Sequence, residues 1–234
     1  MMETSVNSSR ASNYRKRQIM SHLLHIDAAV RVEDSTSRLL TARAAQRWLA
    51  THPGGTVTYR DLGAQPVPHL DTTTGLARIL PPEQHTPAQA RSYGLSAALV
   101  DEIKAADTVL LGMPLYNFGV SSAIKTWVDH IVAGGLAFAP DGTSLLGDTE
   151  FIVLESRGGG YGPGTPRAGW DHAESWITHG VSMTGLVPRI IIAELTVAAD
   201  DPRMAHLQPL ADDSLARAIA EVDSLWRRDR DAVA

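Results

Sequence analysis

The chain has 234 residues, 44% of them hydrophobic and 20% charged, with a formal net charge of -5 and no cysteine. That length and composition suit one large globular domain and exclude collagen-like or strongly disordered classes. Without cysteine there is no disulfide scaffold, thiolate nucleophile, cysteine-ligated zinc or iron–sulfur cluster, so redox work would need a bound cofactor. The acidic balance argues against a nucleic-acid partner and favours a small molecule.

Residues 1–19 carry Arg10, Arg15, Lys16 and Arg17 among many Ser and Asn and have no apolar core of a secretory signal. They are expected to form a disordered extension ahead of a single domain over 20–234, in a cytoplasmic protein. From Ser21 onward, short apolar runs alternate with longer amphipathic stretches, the signature of a parallel sheet with crossover helices. Strands are expected at His22 to Asp27, Thr56 to Arg60, Thr108 to Pro114, Phe151 to Glu155 and Arg189 to Leu195. Helices are expected over Ser37 to Thr51, with Asp34 and Ser35 as caps, over Leu95 to Ala106, after Ser121 or Ser122, over Trp170 to Met183 and over Ser214 to Arg228. The Pro-rich stretch from Gln65 to Pro87 reads as a surface excursion. Val109–Leu115, the longest apolar run, is well short of the roughly 18 residues of a membrane span, so no membrane partner is expected.

Five parallel strands with helices on both faces make a doubly wound α/β sheet, in which ligands bind outside the carboxyl ends of the strands. Three turns there carry unusual sequence. After the first strand, Ser35, Thr36 and Ser37 place hydroxyls at a helix entrance, where free amides and the helix dipole favour an anion; taken alone, plain capping is the commoner reason for such residues. After the third, Leu115, Tyr116, Asn117 and Phe118 put apolar and aromatic side chains in a turn, as a wall for a planar ligand would need. After the fourth, the segment Ser156–Gly164 holds five glycines, which let backbone amides approach one electronegative edge. His130 and His172, each beside an Asp, are expected on a helix surface or in hydrogen bonds rather than on a metal, and no Gly-x-Ser-x-Gly elbow or Walker loop is present.

Met113-Pro114-Leu115-Tyr116-Asn117-Phe118, the following Ile124-Lys125-Thr126-Trp127-Val128-Asp129-His130-Ile131, and Ser156-Arg157-Gly158-Gly159 resemble the FMN-dependent NADH-azoreductases, which are flavodoxin-like quinone reductases. The resemblance implies a flavodoxin-like five-stranded sheet and FMN as cofactor, with NADH or NADPH as donor and a quinone or azo compound as acceptor in a ping-pong cycle. It further implies a homodimer. By position, Ser35, Thr36 and Ser37 would hold the FMN phosphate, and Leu115, Tyr116, Asn117 and Phe118 would line the isoalloxazine. Ser156, Arg157, Gly158 and Gly159 would supply donors to its pyrimidine edge. Tyr161 is a candidate substrate-pocket residue. No protein group is assigned as catalytic acid or base, and no metal is expected. Three departures stand out: Asp27-Ala28-Ala29 lacks a usual Ser, which Arg31 or Arg38 would offset by charge, and Ala139-Pro140 and Met183 replace residues that often shape the pocket. Two other functions remain open, a flavin enzyme dedicated to one quinone-like or nitrogen-linked intermediate and an electron carrier without turnover.

Overall fold

The computed structural model describes residues 21–227; the extension over 1–19 lies outside them. Five strands, β1 (His22–Asp27), β2 (Thr56–Asp61), β3 (Thr108–Pro114), β4 (Glu150–Ser156) and β5 (Pro188–Ala193), form one sheet in the order β2-β1-β3-β4-β5. Every neighbouring pair is parallel. Six helices connect or cover them: α1 (Thr36–Thr51), α2 (Thr72–Ile79), α3 (Pro87–Lys104), α4 (Ser122–Ile131), α5 (Ala173–Gly180) and α6 (Gln208–Ser224).

Strand alternation divides the core between the two faces of the sheet. Leu24, Ile26, Val109, Leu111, Phe151 and Val153 point to one face, against Leu99 and Ile103 of α3, Trp127 and Ile131 of α4 and Ile177 of α5. Leu23, Leu110, Ile152, Leu154 and Ile191 point to the other, against Leu40 and Trp48 of α1 and Val222 of α6. β3 is buried throughout and central, whereas β2 at the edge has no buried residue. Each fully buried Leu, Ile or Val contributes about 1.5–3 kcal/mol.

Several boundaries differ from the sequence expectation, for local reasons. The stretch between Gln65 and Pro87 is not wholly irregular: Asp71 caps α2 by accepting from the Thr74 amide at 2.8 Å. A capping box between Thr86 and Gln89, with Pro87 in the first turn, starts α3 eight residues before Leu95. Pro209 likewise sits in the first turn of α6, which begins at Gln208 rather than Ser214. β5 stops at Ala193, and Leu195 beyond it takes a φ of 61°. His130 is buried rather than on a helix surface: Nε2 donates to the Pro68 carbonyl at 2.9 Å, leaving Nδ1 to accept from Ser96 Oγ at 2.8 Å. It thereby pins the Pro66–Leu70 stretch to α4.

Candidate active site

The chain leaves β1 for β2 on one side and returns to β3 on the other, so the crevice of the sheet opens at the carboxyl ends of β1 and β3. The first wall is the loop from Ala28 to Ser35. Ser35 is the N-cap of α1, its Oγ accepting from the Arg38 amide at 3.5 Å and lying 3.3 Å from Ser37 Oγ. The amides of Thr36 and Ser37 meet no acceptor among the described residues, as expected of a first turn. Val32, Asp34, Ser35, Thr36, Arg38 and Leu39 line a cleft of about 400 Å³ here.

Arg38 has a different task from the charge compensation expected of it. Its guanidinium is bidentate to Asp61 at the end of β2, at 2.8 Å through both Nη atoms. Nη2 also donates to the Ala29 carbonyl at 2.7 Å, and Nε to that of Arg31 at 3.1 Å. The positive charge is therefore used to hold the loop to β2. Gly63 completes this contact, because a Cβ there would collide with the Ala29 carbonyl. Arg31, the other expected compensator, is exposed and lies 3.7 Å from Asp200. Beneath the loop, burial opposes charge on Asp27, yet His25, Thr41 and Tyr59 together keep its carboxyl below the ordinary range.

The second wall is a two-residue turn after β3. The amide of Tyr116 donates to Gly119 O at 2.9 Å and that of Gly119 to Tyr116 O at 3.0 Å, with Asn117 at φ 49° and Phe118 at φ 67°. Two successive positive φ values are the type I′ pattern. Asn tolerates it, but for a bulky residue such as Phe it is strained by about 1–3 kcal/mol, a cost that recurs at ligand clamps. Around Phe118, the rings of Trp170 and Tyr161 stand edge-on at 5.2 and 6.0 Å and the Arg167 guanidinium lies 5.7 Å from the ring centre. Tyr116 Oη accepts from the Val30 amide at 3.1 Å, joining this wall to the first.

The third wall follows β4. Ser156 accepts from the Leu115 amide at 2.9 Å, tying the two loops together at their bases. The amides of Gly158, Gly159 and Gly160 find no acceptor among the described residues. These glycines, with Leu115, Tyr161, Arg167, Leu195, Val197, Met204 and Leu207, line a cleft of about 980 Å³. Ala139, Pro140 and Met183 line none of these clefts.

Arg157 is buried, and its guanidinium is ringed by carboxylates: Asp171 at 2.6 Å, Glu194 at 3.2 Å, Glu155 at 3.3 Å, and Glu174. This hub was hidden in the sequence, because its members come from β4, α5 and the turns after β4 and β5. The single available signal was Glu155, one carboxylate ending the apolar run Phe151-Ile152-Val153-Leu154. Burial, with a hydrogen bond to the Asp171 carboxyl, pushes Glu155 up to about 8, more than the adjacent Arg157 lowers it. Glu155, Asp171 and Glu174 lie close enough to hold a metal ion, but Arg157 already supplies the positive charge there.

The groups present fit FMN. Unpaired helical amides and hydroxyls suit a phosphate, an apolar turn suits a planar ring, and a run of free amides suits an edge that gains negative charge. The fold is also found in solved structures: an azoreductase from Bacillus anthracis str. Sterne superposes with a TM-score of 0.76 at 20% identity, covering 88% of this chain and 99% of that one. The family model for the flavodoxin-like fold matches residues 21–215, and the chain belongs to that family. Within it, the "FMN-dependent NADH:quinone oxidoreductase" of Frankia alni is 43% identical over 188 residues, which are 80% of this chain and 89% of that protein. The protein of the same name from Nostoc sp. is 39% identical over 206 residues, 86% of this chain and 99% of its own. The chain is thus a member of the FMN-dependent NADH:quinone oxidoreductase family.

Proposed function

We propose that this protein reduces quinones with electrons from NADH, using FMN held across the three walls. The observation that carries the reading is the set of three consecutive unpaired amides, Gly158 to Gly160, lining one cleft with Leu115. Ser35, Thr36 and Ser37 hold the phosphate at the start of α1, where the helix dipole supplies about half a positive charge. Leu115, Tyr116, Asn117 and Phe118 form the platform for the ring. Gly158 and Gly159 direct their amides at its pyrimidine edge, with Ser156 and Arg157 fixing the loop that carries them. When bound, FMN relays two electrons as hydride between donor and acceptor. Donors fixed in advance stabilise negative charge at the ring edge without reorganising, so the glycine loop favours the reduced form. Tyr161, Phe118 and Trp170 cover the acceptor, whose proton comes from water.

Donor and acceptor use one site in turn, so ping-pong kinetics follow. Azo compounds are a second class of acceptor, favoured by a cleft at the upper end of the 300–1,000 Å³ usual for small-molecule sites. A homodimer is supported by exposed apolar side chains such as Trp170 and Ile79 and by the prevalence of two-fold symmetry. No helix among the described residues is long and apolar enough to cross a membrane, and the need for NADH fits a cytoplasmic enzyme. The test is an anaerobic titration of the FMN-loaded protein: NADH should bleach the flavin spectrum and menadione restore it. Failure to take up FMN, or bleaching that no quinone reverses, refutes the proposal.

A further inference from the structure

Glycine runs have the greatest backbone freedom, so the direction of the amides at Gly158, Gly159 and Gly160 must be imposed from outside the run. The residues that bracket it, Arg157 and Tyr161, share one acceptor. Glu194 Oε1, just beyond β5, lies 3.2 Å from Arg157 Nη1 and 3.2 Å from the Tyr161 amide. Glu194 is itself held, its amide donating to the buried Ser214 Oγ at 2.9 Å. The strand side of the loop is secured by the Arg157 amide to Ala193 O at 2.9 Å and the Thr196 amide to Arg157 O at 3.0 Å. On its far side, the Glu194 carboxylate is the one side-chain tie to the Tyr161 amide, beside backbone bonds from the Leu195 amide to Gly159 O at 3.3 Å and from the Gly169 amide to Tyr161 O at 3.0 Å.

We infer that Glu194 is a positioning residue: by bridging Arg157 and the Tyr161 amide it closes the glycine loop and sets the direction of three amides toward a ring-edge acceptor. This deepens the proposed function and rests on it. The working part is the acceptor oxygen rather than the charge, because Arg157 keeps Asp171 and Glu174 to balance it. A glutamine, which keeps the oxygen and drops the charge, should therefore preserve the loop.

The test uses the full chain with lumiflavin, which has the ring but no phosphate, and with FMN. Glu194→Ala should weaken both by about tenfold, the scale of one net hydrogen bond. Glu194→Gln should stay within about twofold of the parent on the same scale. Glu194→Asp, too short to span both donors, serves as a second loss variant should alanine fail to fold. A further tenfold loss by the reduced form would place the two-electron midpoint potential of Glu194→Ala about 30 mV below that of Glu194→Gln. In flavin-free protein, the Tyr161 amide should exchange with deuterium faster in Glu194→Ala than in Glu194→Gln. Equal losses in Ala and Gln, or no loss in either, overturn the inference. A parent protein that binds neither flavin overturns the proposed function, whereas amide exchange in the flavin-free protein still decides the role of Glu194.

Discussion

Replacing Glu155 by Gln should flatten the dependence of stability on pH. The Glu155 carboxyl is fully buried, and its folded-state value near 8 stands far above the ordinary 4.5. Between those two values the folded chain binds a proton that the unfolded chain releases. The contribution is therefore complete below pH 4.5 and is lost as pH rises through 8. The maximum slope is about 1.4 kcal/mol per pH unit, and the interval, in which the lowering by Arg157 is already included, corresponds to a loss on the order of 5 kcal/mol. Gln does not titrate and fills the same space. Urea midpoints measured from pH 5 to 9 should give curves that nearly meet at pH 5, with the variant ahead by roughly 2–5 kcal/mol at pH 9. Parallel curves would refute the reasoning, since every other titrating group is common to both proteins.

Four other outcomes follow from the site and its supports. Ser35→Asp keeps an N-cap acceptor but adds negative charge at the proposed phosphate position; stability should change by less than about 0.5 kcal/mol while FMN, but not lumiflavin, loses at least about tenfold in titration. Arg38→Met removes the charge partner of Asp61 and the donors to two loop carbonyls and should cost about 3 kcal/mol in chemical denaturation, with FMN weakened more than lumiflavin. Phe118→Val puts a β-branched residue at positive φ and should lower stability by about 1–3 kcal/mol, whereas Phe118→Gly relieves strain, offsets its lost ring contacts and should stay within about 1 kcal/mol of the parent in thermal unfolding. Burial holds His130 below its ordinary 6.5; it adds stability above that pH and loses it as pH falls, so His130→Gln should show a shallower drop in urea midpoint from pH 7 to pH 5.

The sheet was legible because its information is local. Phe151-Ile152-Val153-Leu154 and Thr108 to Met113 are apolar on both faces, as strands covered by helices on each side must be. The turns after β1, β3 and β4 were legible as turns for the same reason, each being a contiguous segment. α2 was not: Thr72-Thr73-Thr74-Gly75 has poor helix propensity, and the helix depends on the Asp71 cap and on packing against α3. The left-handed backbone at Phe118 could not be read from a residue that avoids it. Arg157 and Glu194 were out of reach for another reason, since the meaning of each depends on carboxylates or amides many positions away. Arg157 was singled out by its neighbours in sequence, while its surroundings in space place it among Glu155, Asp171, Glu174 and Glu194.

The phenol of Tyr116 reaches across 86 positions of sequence to accept from the Val30 amide, so the loop before α1 and the turn after β3 are not independent bodies. Ordering either one lowers the entropy left for the other to lose. An anion bound at the helix terminus and a planar ring bound beyond the turn should then assist each other, and reciprocity requires each to raise the affinity of the other by the same factor. Cofactor capture becomes cooperative within a single ligand: the phosphate recruits the ring, and a fragment carrying one half alone meets a site that is only partly assembled.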